Sequence, residues 1–250
     1  MHRHFVIIGA QRSGTTYLYK ILDSHPEVFM AKPVKPEPKY FIDQANIING
    51  YSAYYKRYFM SSNKYQLLGE KSTSYIEKVA AARAIKAVIP NCLIIVSLRD
   101  PIERAISNYQ FTVNNGLESL SFENAIKCEE ARSKHWRKLN ISVNPYAYTE
   151  RGHYVKYLPI WEQVFGKDNM IFIVFEKMVG DKEEISNLYK RIGVDGSYSS
   201  PHINEIVNPA RSKGYNVMLN QNLKSRLDEI FMVSNKGLEC KYGIDTSMWR

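Results

Sequence analysis

Cysteine is rare in this sequence, and long apolar segments and basic tracts are absent from it. The three cysteines, Cys92, Cys128 and Cys240, are far apart, so they predict neither a disulfide framework nor a set of metal ligands. No apolar stretch is long enough to cross a membrane. Basic residues are interspersed with acidic ones and show no nucleic-acid-binding signature. We therefore expect no metal, no membrane partner and no nucleic acid partner.

The composition is otherwise that of an ordinary globular protein. Hydrophobic residues make up 44% and charged residues 24% of the 250 residues. An α/β fold of this length commonly forms one domain, so we expect a single domain over residues 1–250. The formal net charge of +9 favours an anionic ligand.

The segment from Phe5 to Leu18 organises the N-terminal part of the chain. It begins with an apolar run typical of a buried parallel strand, passes through a turn that contains Gly14, and enters a region of helical periodicity. The first amides of a helix lack intrahelical partners, so a strand, a tight turn and a helix N-terminus together form an anion site. The candidate ligand-binding residues of this turn are Gln11, Arg12, Ser13, Gly14, Thr15, Thr16 and Tyr17.

The turn differs from a nucleoside-triphosphate-binding loop at one position. The spacing from Gly9 to Gly14 matches the Walker A frame, but Thr15 stands where that motif has lysine. The cation is instead Arg12, which suits the 5′ end of a nucleotide with a shorter anionic tail. Asp100 follows a later apolar strand in the manner of a Walker B acid, so a small-molecule kinase is an alternative. A non-catalytic nucleotide-binding protein is a third interpretation.

The turn and two later segments resemble the nucleotide-binding motifs of one enzyme family. Residues 9–18, followed by Ser-His-Pro at residues 24–26, resemble the 5′-phosphosulfate loop of sulfotransferases that use 3′-phosphoadenosine-5′-phosphosulfate (PAPS). Residues 98–109 resemble the family's 3′-phosphate motif, in which Arg99 and Ser107 would hold the 3′-phosphate. A third segment resembles the late loop that folds over PAPS, with the candidate residues Arg211, Ser212, Lys213 and Gly214.

The resemblance implies both a fold and a reaction. The expected fold is a three-layer α/β domain, in which a central parallel sheet has helices on both faces and carries a P-loop-like nucleotide site. The expected reaction moves a sulfuryl group from PAPS to a hydroxyl or amine of a small-molecule or carbohydrate acceptor by in-line displacement. The product nucleotide is 3′-phosphoadenosine-5′-phosphate (PAP), and Arg12 would stabilise the charge that develops on it.

Two glutamates are candidates for the base that takes the acceptor's proton. Glu70 ends an apolar strand, and ligands of open α/β sheets collect at the carboxyl ends of strands. Its Gly-Glu-Lys-Ser context also resembles the strand of heparan-sulfate-type sulfotransferases that carries their catalytic glutamate, so Glu70 is the first choice. Glu37 is the second, by similarity to tyrosylprotein sulfotransferases. It lies in a proline-rich segment, residues 31–41, for which a solvated linker is the alternative interpretation.

The sequence gives only indirect indications of acceptor and compartment. Many carbohydrate sulfotransferases of the Golgi carry a stem and a membrane anchor, and neither is visible here. We therefore expect a cytoplasmic enzyme that acts in natural-product biosynthesis.

Overall fold

The computed structural model describes residues 2–139, 143–205, 217 and 219–249. Contacts divide them into two compact units. The first contains the residues through Leu98 and those from Tyr157 to 205, and the second contains Arg99–Lys156 and the residues from 217 onward. The expectation of a single domain over residues 1–250 stays a prediction. The α-helices found among these residues are α1 (Thr15–Asp23), α2 (Gln44–Ile48), α3 (Gly50–Tyr58), α4 (Val79–Val88), α5 (Pro101–Asn114), α6 (Phe122–Lys127), α7 (Glu129–Ser133), α8 (Tyr154–Phe165), α9 (Phe175–Met178), α10 (Lys182–Ile192) and α11 (Gln221–Tyr242).

The first unit is built on a parallel sheet. The strands that the structure describes are β1 (Arg3–Gly9), β2 (Val28–Met30), β3 (Leu67–Lys71), β4 (Leu93–Leu98) and β5 (Met170–Val174). They lie in the order β2-β3-β1-β4-β5, and each neighbouring pair is parallel. The apolar run at the start of the sequence forms the central strand, with Val6 between Glu70 and Ile94.

Both faces of this sheet are covered. Successive side chains of a strand point to opposite faces, and Phe5, Val6, Ile7 and Ile8 are all fully buried. Burial on both faces is typical of parallel sheets in α/β proteins. On one side, the core includes apolar residues of β1, α1 and α10, among them Phe5, Ile7, Leu18, Ile21, Leu22, Ile185 and Leu188. The expected α/β fold, with a central parallel sheet flanked by helices, is confirmed.

The second unit is helical in its described part. Asp100 caps α5 by accepting a hydrogen bond from the Ile102 amide at 2.8 Å, and Pro101 occupies the first helical position, as the sequence predicts. Helices α5, α6 and α11 share a core that includes Ile102, Ala105, Tyr109, Phe122, Leu227 and Phe231. No helix of the described residues has the length and apolar character that a membrane span requires.

The structure corrects one helix prediction and adds one strand. The periodicity of residues 120–138 predicts one continuous helix, but the chain forms α6 and α7 with Cys128 between them. Strand β2 has only three residues at the sheet edge, which is too short for a periodic signal.

Candidate active site

The turn between β1 and α1 is fixed by the neighbouring strand β4. The Ala10 amide donates to the Ser97 carbonyl at 2.8 Å, and the Ser97 hydroxyl donates to the Ser13 carbonyl. Arg12 and Gly14 have positive φ angles of 70° and 72°, which reverse the chain within a few residues. The turn is therefore shaped by contacts within the protein.

Gly14 is the residue that brings the turn into α1. It is the N-cap of this helix, and no side chain of the described residues caps the helix there. A Cβ at this position would lie 1.9 Å from Cδ2 of Phe175, so only glycine fits. The first turn of α1 also contains no acidic residue. Backbone amides at such a helix end bind anions.

The other predicted residues of the turn differ in their exposure. Gln11, Arg12 and Thr16 are half-buried, whereas Ser13 and Thr15 are buried. The Tyr17 hydroxyl donates to the Ile203 carbonyl at 2.7 Å and accepts from the Gly180 amide at 3.3 Å. The side chain of Tyr17 thus holds α1 to other segments of the first unit, which leaves its backbone amide as the group that could face an anion.

Glu70 is fully buried at the end of β3. Its Oε1 accepts hydrogen bonds from the Ser72 hydroxyl at 2.8 Å and the Tyr75 hydroxyl at 2.6 Å. Its Oε2 accepts from the Tyr54 hydroxyl at 2.7 Å. Burial raises the pKa of the Glu70 carboxyl, and these hydrogen bonds oppose the shift only in part. A base must come within hydrogen-bond reach of the acceptor, and no surface of Glu70 is exposed for that contact.

Glu37 has a different environment. Its side chain is 15% exposed, and its Oε1 lies 2.7 Å from Nζ of Lys71, whose side chain is 4% exposed. The Thr73 amide donates to Oε2 at 2.9 Å, and the Thr73 hydroxyl lies 3.0 Å from both oxygens. A carboxylate offers about four lone-pair positions, so the three donors of Lys71 and Thr73 leave room for one more. The proline-rich segment is therefore anchored to β3 and is not a free linker.

The contacts of Thr73 place Glu37 beside the first turn. A Cβ at Gly9 would lie 3.0 Å from the Thr73 carbonyl oxygen, and the Ser72 amide donates to the Ile7 carbonyl at 3.0 Å. The residues after β3 thus run close to the end of β1. Because the carboxyl ends of parallel strands share one edge of the sheet, Glu37 and the turn with Arg12 lie at the same edge.

Arg99 and Ser107 belong to the second unit. Arg99 directly follows β4 in the sequence, its guanidinium lies 3.2 Å from a carboxylate oxygen of Glu103, and its carbonyl accepts from the Tyr154 hydroxyl at 2.8 Å. Ser107 lies in α5 and is 8% exposed. The assignment of both residues to a 3′-phosphate stays a prediction.

The structure bears only in part on the predicted late loop and on the expected absence of a metal. Arg211, Ser212, Lys213 and Gly214 lie outside the described residues. Within the described part of the chain, no group of three or more His, Cys, Asp and Glu side chains is arranged to hold a metal ion.

Sequence reasoning missed the partners that define the two glutamates. Lys71 and Thr73 hold Glu37, and Tyr54 and Tyr75 hold Glu70. Lys71 is the last residue of β3 and Thr73 lies two residues beyond it, so the sequence could have placed both near the carboxyl end of this strand. Nothing in the spacing of the two tyrosines indicates that they share one carboxylate.

Comparison with known proteins identifies the class that this fold and turn define. The sequence matches the family described as the sulfotransferase domain over residues 2–213. It is 30% identical over 181 residues to mouse heparan sulfate glucosamine 3-O-sulfotransferase 3B1, covering 70% of this chain and 42% of that protein. It is 35% identical over 111 residues to the membrane-associated sulfotransferase kil1 of Dictyostelium discoideum, covering 44% of this chain and 23% of that protein.

A solved structure shares the fold over the whole chain. The sulfotransferase from Alicyclobacillus acidocaldarius superposes with a TM-score of 0.80 at 22% sequence identity, covering 100% of this chain and 99% of that chain. The chain spans less than half the length of the two curated relatives named above. The match over residues 2–213 shows that this protein belongs to the sulfotransferase domain family.

Proposed function

We propose that the protein transfers a sulfuryl group from PAPS to a hydroxyl or amine of a carbohydrate or small-molecule acceptor, with Glu37 as the base. The observation that carries this proposal is the single edge of the sheet at which the Arg12 turn and a partly exposed carboxylate lie. The mouse relative is named as a heparan sulfate glucosamine 3-O-sulfotransferase, which favours a sugar hydroxyl as the first acceptor class to test.

The residues of the first turn fit the 5′ end of PAPS. Arg12 supplies a cation, and Gly14 admits close approach to the backbone. The first turn of α1 has no acidic residue, and no described side chain caps the helix. PAPS, when bound, supplies an activated sulfuryl group and a phosphate leaving group. We assign its 3′-phosphate to Arg99 and Ser107, and to Arg211, Ser212, Lys213 and Gly214, on motif resemblance.

The chemistry assigned to the chain's own residues conserves charge and protons. Glu37 accepts the proton that the acceptor loses as its oxygen or nitrogen bonds to sulfur. The bond between sulfur and the bridging oxygen breaks, and its electron pair stays with the 5′-phosphate of PAP. Arg12 and the backbone amides at the start of α1 stabilise the added charge there, which is electrostatic stabilisation of a developing anion.

Exposure favours Glu37 over Glu70 as the base. Both carboxylates accept hydrogen bonds from three donor groups, but only Glu37 has exposed surface. Glu70, the first choice from the sequence, therefore becomes the second candidate in this proposal. Nζ of Lys71 lies 2.7 Å from Oε1 of Glu37 and helps to hold that carboxylate in place.

Transfer of radioactive sulfate tests this function. We expect labelled product from [35S]PAPS with N-sulfated heparosan oligosaccharides or with 4-methylumbelliferone as acceptor probes, and a large loss of product with Arg12→Ala. Phosphorylation of either probe from magnesium-ATP, with no transfer from PAPS, would instead favour the kinase interpretation.

A further inference from the structure

We propose that Glu70 is a positioning residue whose buried carboxylate holds the loop that carries Glu37. This inference rests on the proposed function, because it assigns Glu37 the chemical role and gives Glu70 the task of fixing the geometry around it. The argument follows the hydrogen bonds outward from Glu70 to the backbone of that loop.

The first step is the direction of the hydroxyl protons. The hydroxyls of Ser72, Tyr75 and Tyr54 each have a single proton, and each lies within 2.8 Å of a Glu70 carboxylate oxygen. Each hydroxyl donates that proton to Glu70, so the lone pairs of each hydroxyl point elsewhere.

The second step is what those lone pairs accept. The Lys39 amide donates to the Ser72 hydroxyl at 2.8 Å, and the Phe41 amide donates to the Tyr75 hydroxyl at 3.1 Å. These amides lie two and four residues after Glu37. The backbone of the loop is thus bonded to Glu70 through two hydroxyl groups, one contributed by each of Ser72 and Tyr75.

The conformation of Lys39 shows why the loop needs such support. Lys39 has a φ of 48°, in the left-handed region that a residue with a side chain adopts at a cost and keeps only where its surroundings impose it. The Lys39 amide donates to the Ser72 hydroxyl, which in turn donates to Glu70. On the other side of Glu37, Lys71 and Thr73 hold the carboxylate itself. The base is therefore fixed at its side chain and along the chain that follows it.

Tyr54 provides a matched control for Tyr75. Both are fully buried tyrosines whose hydroxyls donate to Glu70. Only the Tyr75 hydroxyl accepts from the loop backbone, whereas the Tyr54 ring packs against Tyr40 and Phe41, a contact that phenylalanine would keep. Replacing each by phenylalanine removes one hydroxyl from Glu70, but only Tyr75→Phe releases the Phe41 amide.

Hydrogen exchange of the free protein tests the positioning role without an acceptor. We expect the Phe41 amide to exchange about 10-fold faster in Tyr75→Phe, the equivalent of about one net hydrogen bond, and at the wild-type rate in Tyr54→Phe. Amides of β1 report global unfolding and serve as the internal reference. Unchanged exchange of Phe41 in Tyr75→Phe, or equal acceleration in both variants, would overturn the proposal.

The pH profile of kcat for sulfation of N-sulfated heparosan separates positioning from base catalysis. Glutamine at residue 70 can keep its oxygen towards Ser72 and Tyr75, so Glu70→Gln should retain the acid limb of the profile and lose less than about 10-fold in kcat, below the range for loss of a base. Glu70→Ala should lose far more. If Glu70→Gln loses the acid limb, Glu70 is the base and the proposal fails. If Glu37→Gln keeps the wild-type rate, the proposed function fails at its base while the exchange result still stands.

Discussion

Replacement of Gly14 by alanine should damage the first turn in two separable ways. Gly14 has a φ of 72°, where a residue with a Cβ costs about 1–2 kcal/mol. The added Cβ would also lie 1.9 Å from the Phe175 ring, and overpacking of this kind typically costs about 1–3 kcal/mol. We therefore expect Gly14→Ala to lower the free energy of unfolding by about 2–5 kcal/mol and to abolish stabilisation by PAP.

Gly50 isolates the first of these costs. It belongs to the same unit and has a φ of 63°, but a Cβ there would meet no atom within 4 Å. Gly50→Ala should thus cost only the backbone part, about 1–2 kcal/mol, and leave the response to PAP intact. Urea denaturation of both variants, with and without PAP, measures the difference. Equal losses of stability in the two variants, or a normal PAP response in Gly14→Ala, would refute the reasoning about Phe175.

Three further predictions concern the donor and the second unit. PAP should raise the melting temperature more than AMP does at equal concentration, by mass action on the folded state; equal shifts in a thermal-denaturation assay would contradict a 3′-phosphate subsite. Arg12→Ala should weaken PAP binding and also slow the chemical step, whereas Arg99→Ala should weaken binding by about 1.5–3 kcal/mol with little change in single-turnover rate. Isothermal titration measures the PAP affinity of both variants, and unchanged affinity in Arg99→Ala would disprove the assignment of Arg99 to the 3′-phosphate. Burial acts to raise the pKa of the Glu118 carboxyl, but hydrogen bonds from Arg132 and Tyr148 outweigh it and hold that pKa below the ordinary value of 4.5. Its stabilisation is therefore complete above that pH and is lost as the pH falls below it, so Glu118→Gln should flatten the fall in stability below about pH 4.5 in urea titrations, and an unchanged slope would count against this pair.

Much of the fold was predictable because the relevant signals are local. The apolar run of residues 5–8 and the helical spacing after Gly14 are adjacent in sequence, and they form β1 and α1. Asp100 caps α5 and Pro101 occupies its first position, and both signals are local in the sequence. Strand β2 was missed because three residues at a sheet edge carry too little periodicity.

The surroundings of the two glutamates were beyond sequence reasoning for a physical reason. Glu70 ends a strand where a carboxylate could face a ligand, but Tyr54 and Tyr75, 16 and 5 residues away in sequence, enclose it. Glu37 lies among prolines, which indicates an exposed loop, yet Lys71 and Thr73 anchor it. Burial of a polar group depends on partners that only the folded chain brings together.

Single-turnover transfer from PAPS by Glu37→Gln tests the central claim most directly. The folded variant, at saturating donor and with N-sulfated heparosan as acceptor probe, should bind PAP with wild-type affinity. Its transfer rate should fall by about 10²–10⁴-fold and lose the acid limb of its pH profile, because glutamine preserves the shape of the side chain and removes the base. A rate within a few-fold of the wild-type rate, with the acid limb retained, would contradict the assignment of Glu37 as the base.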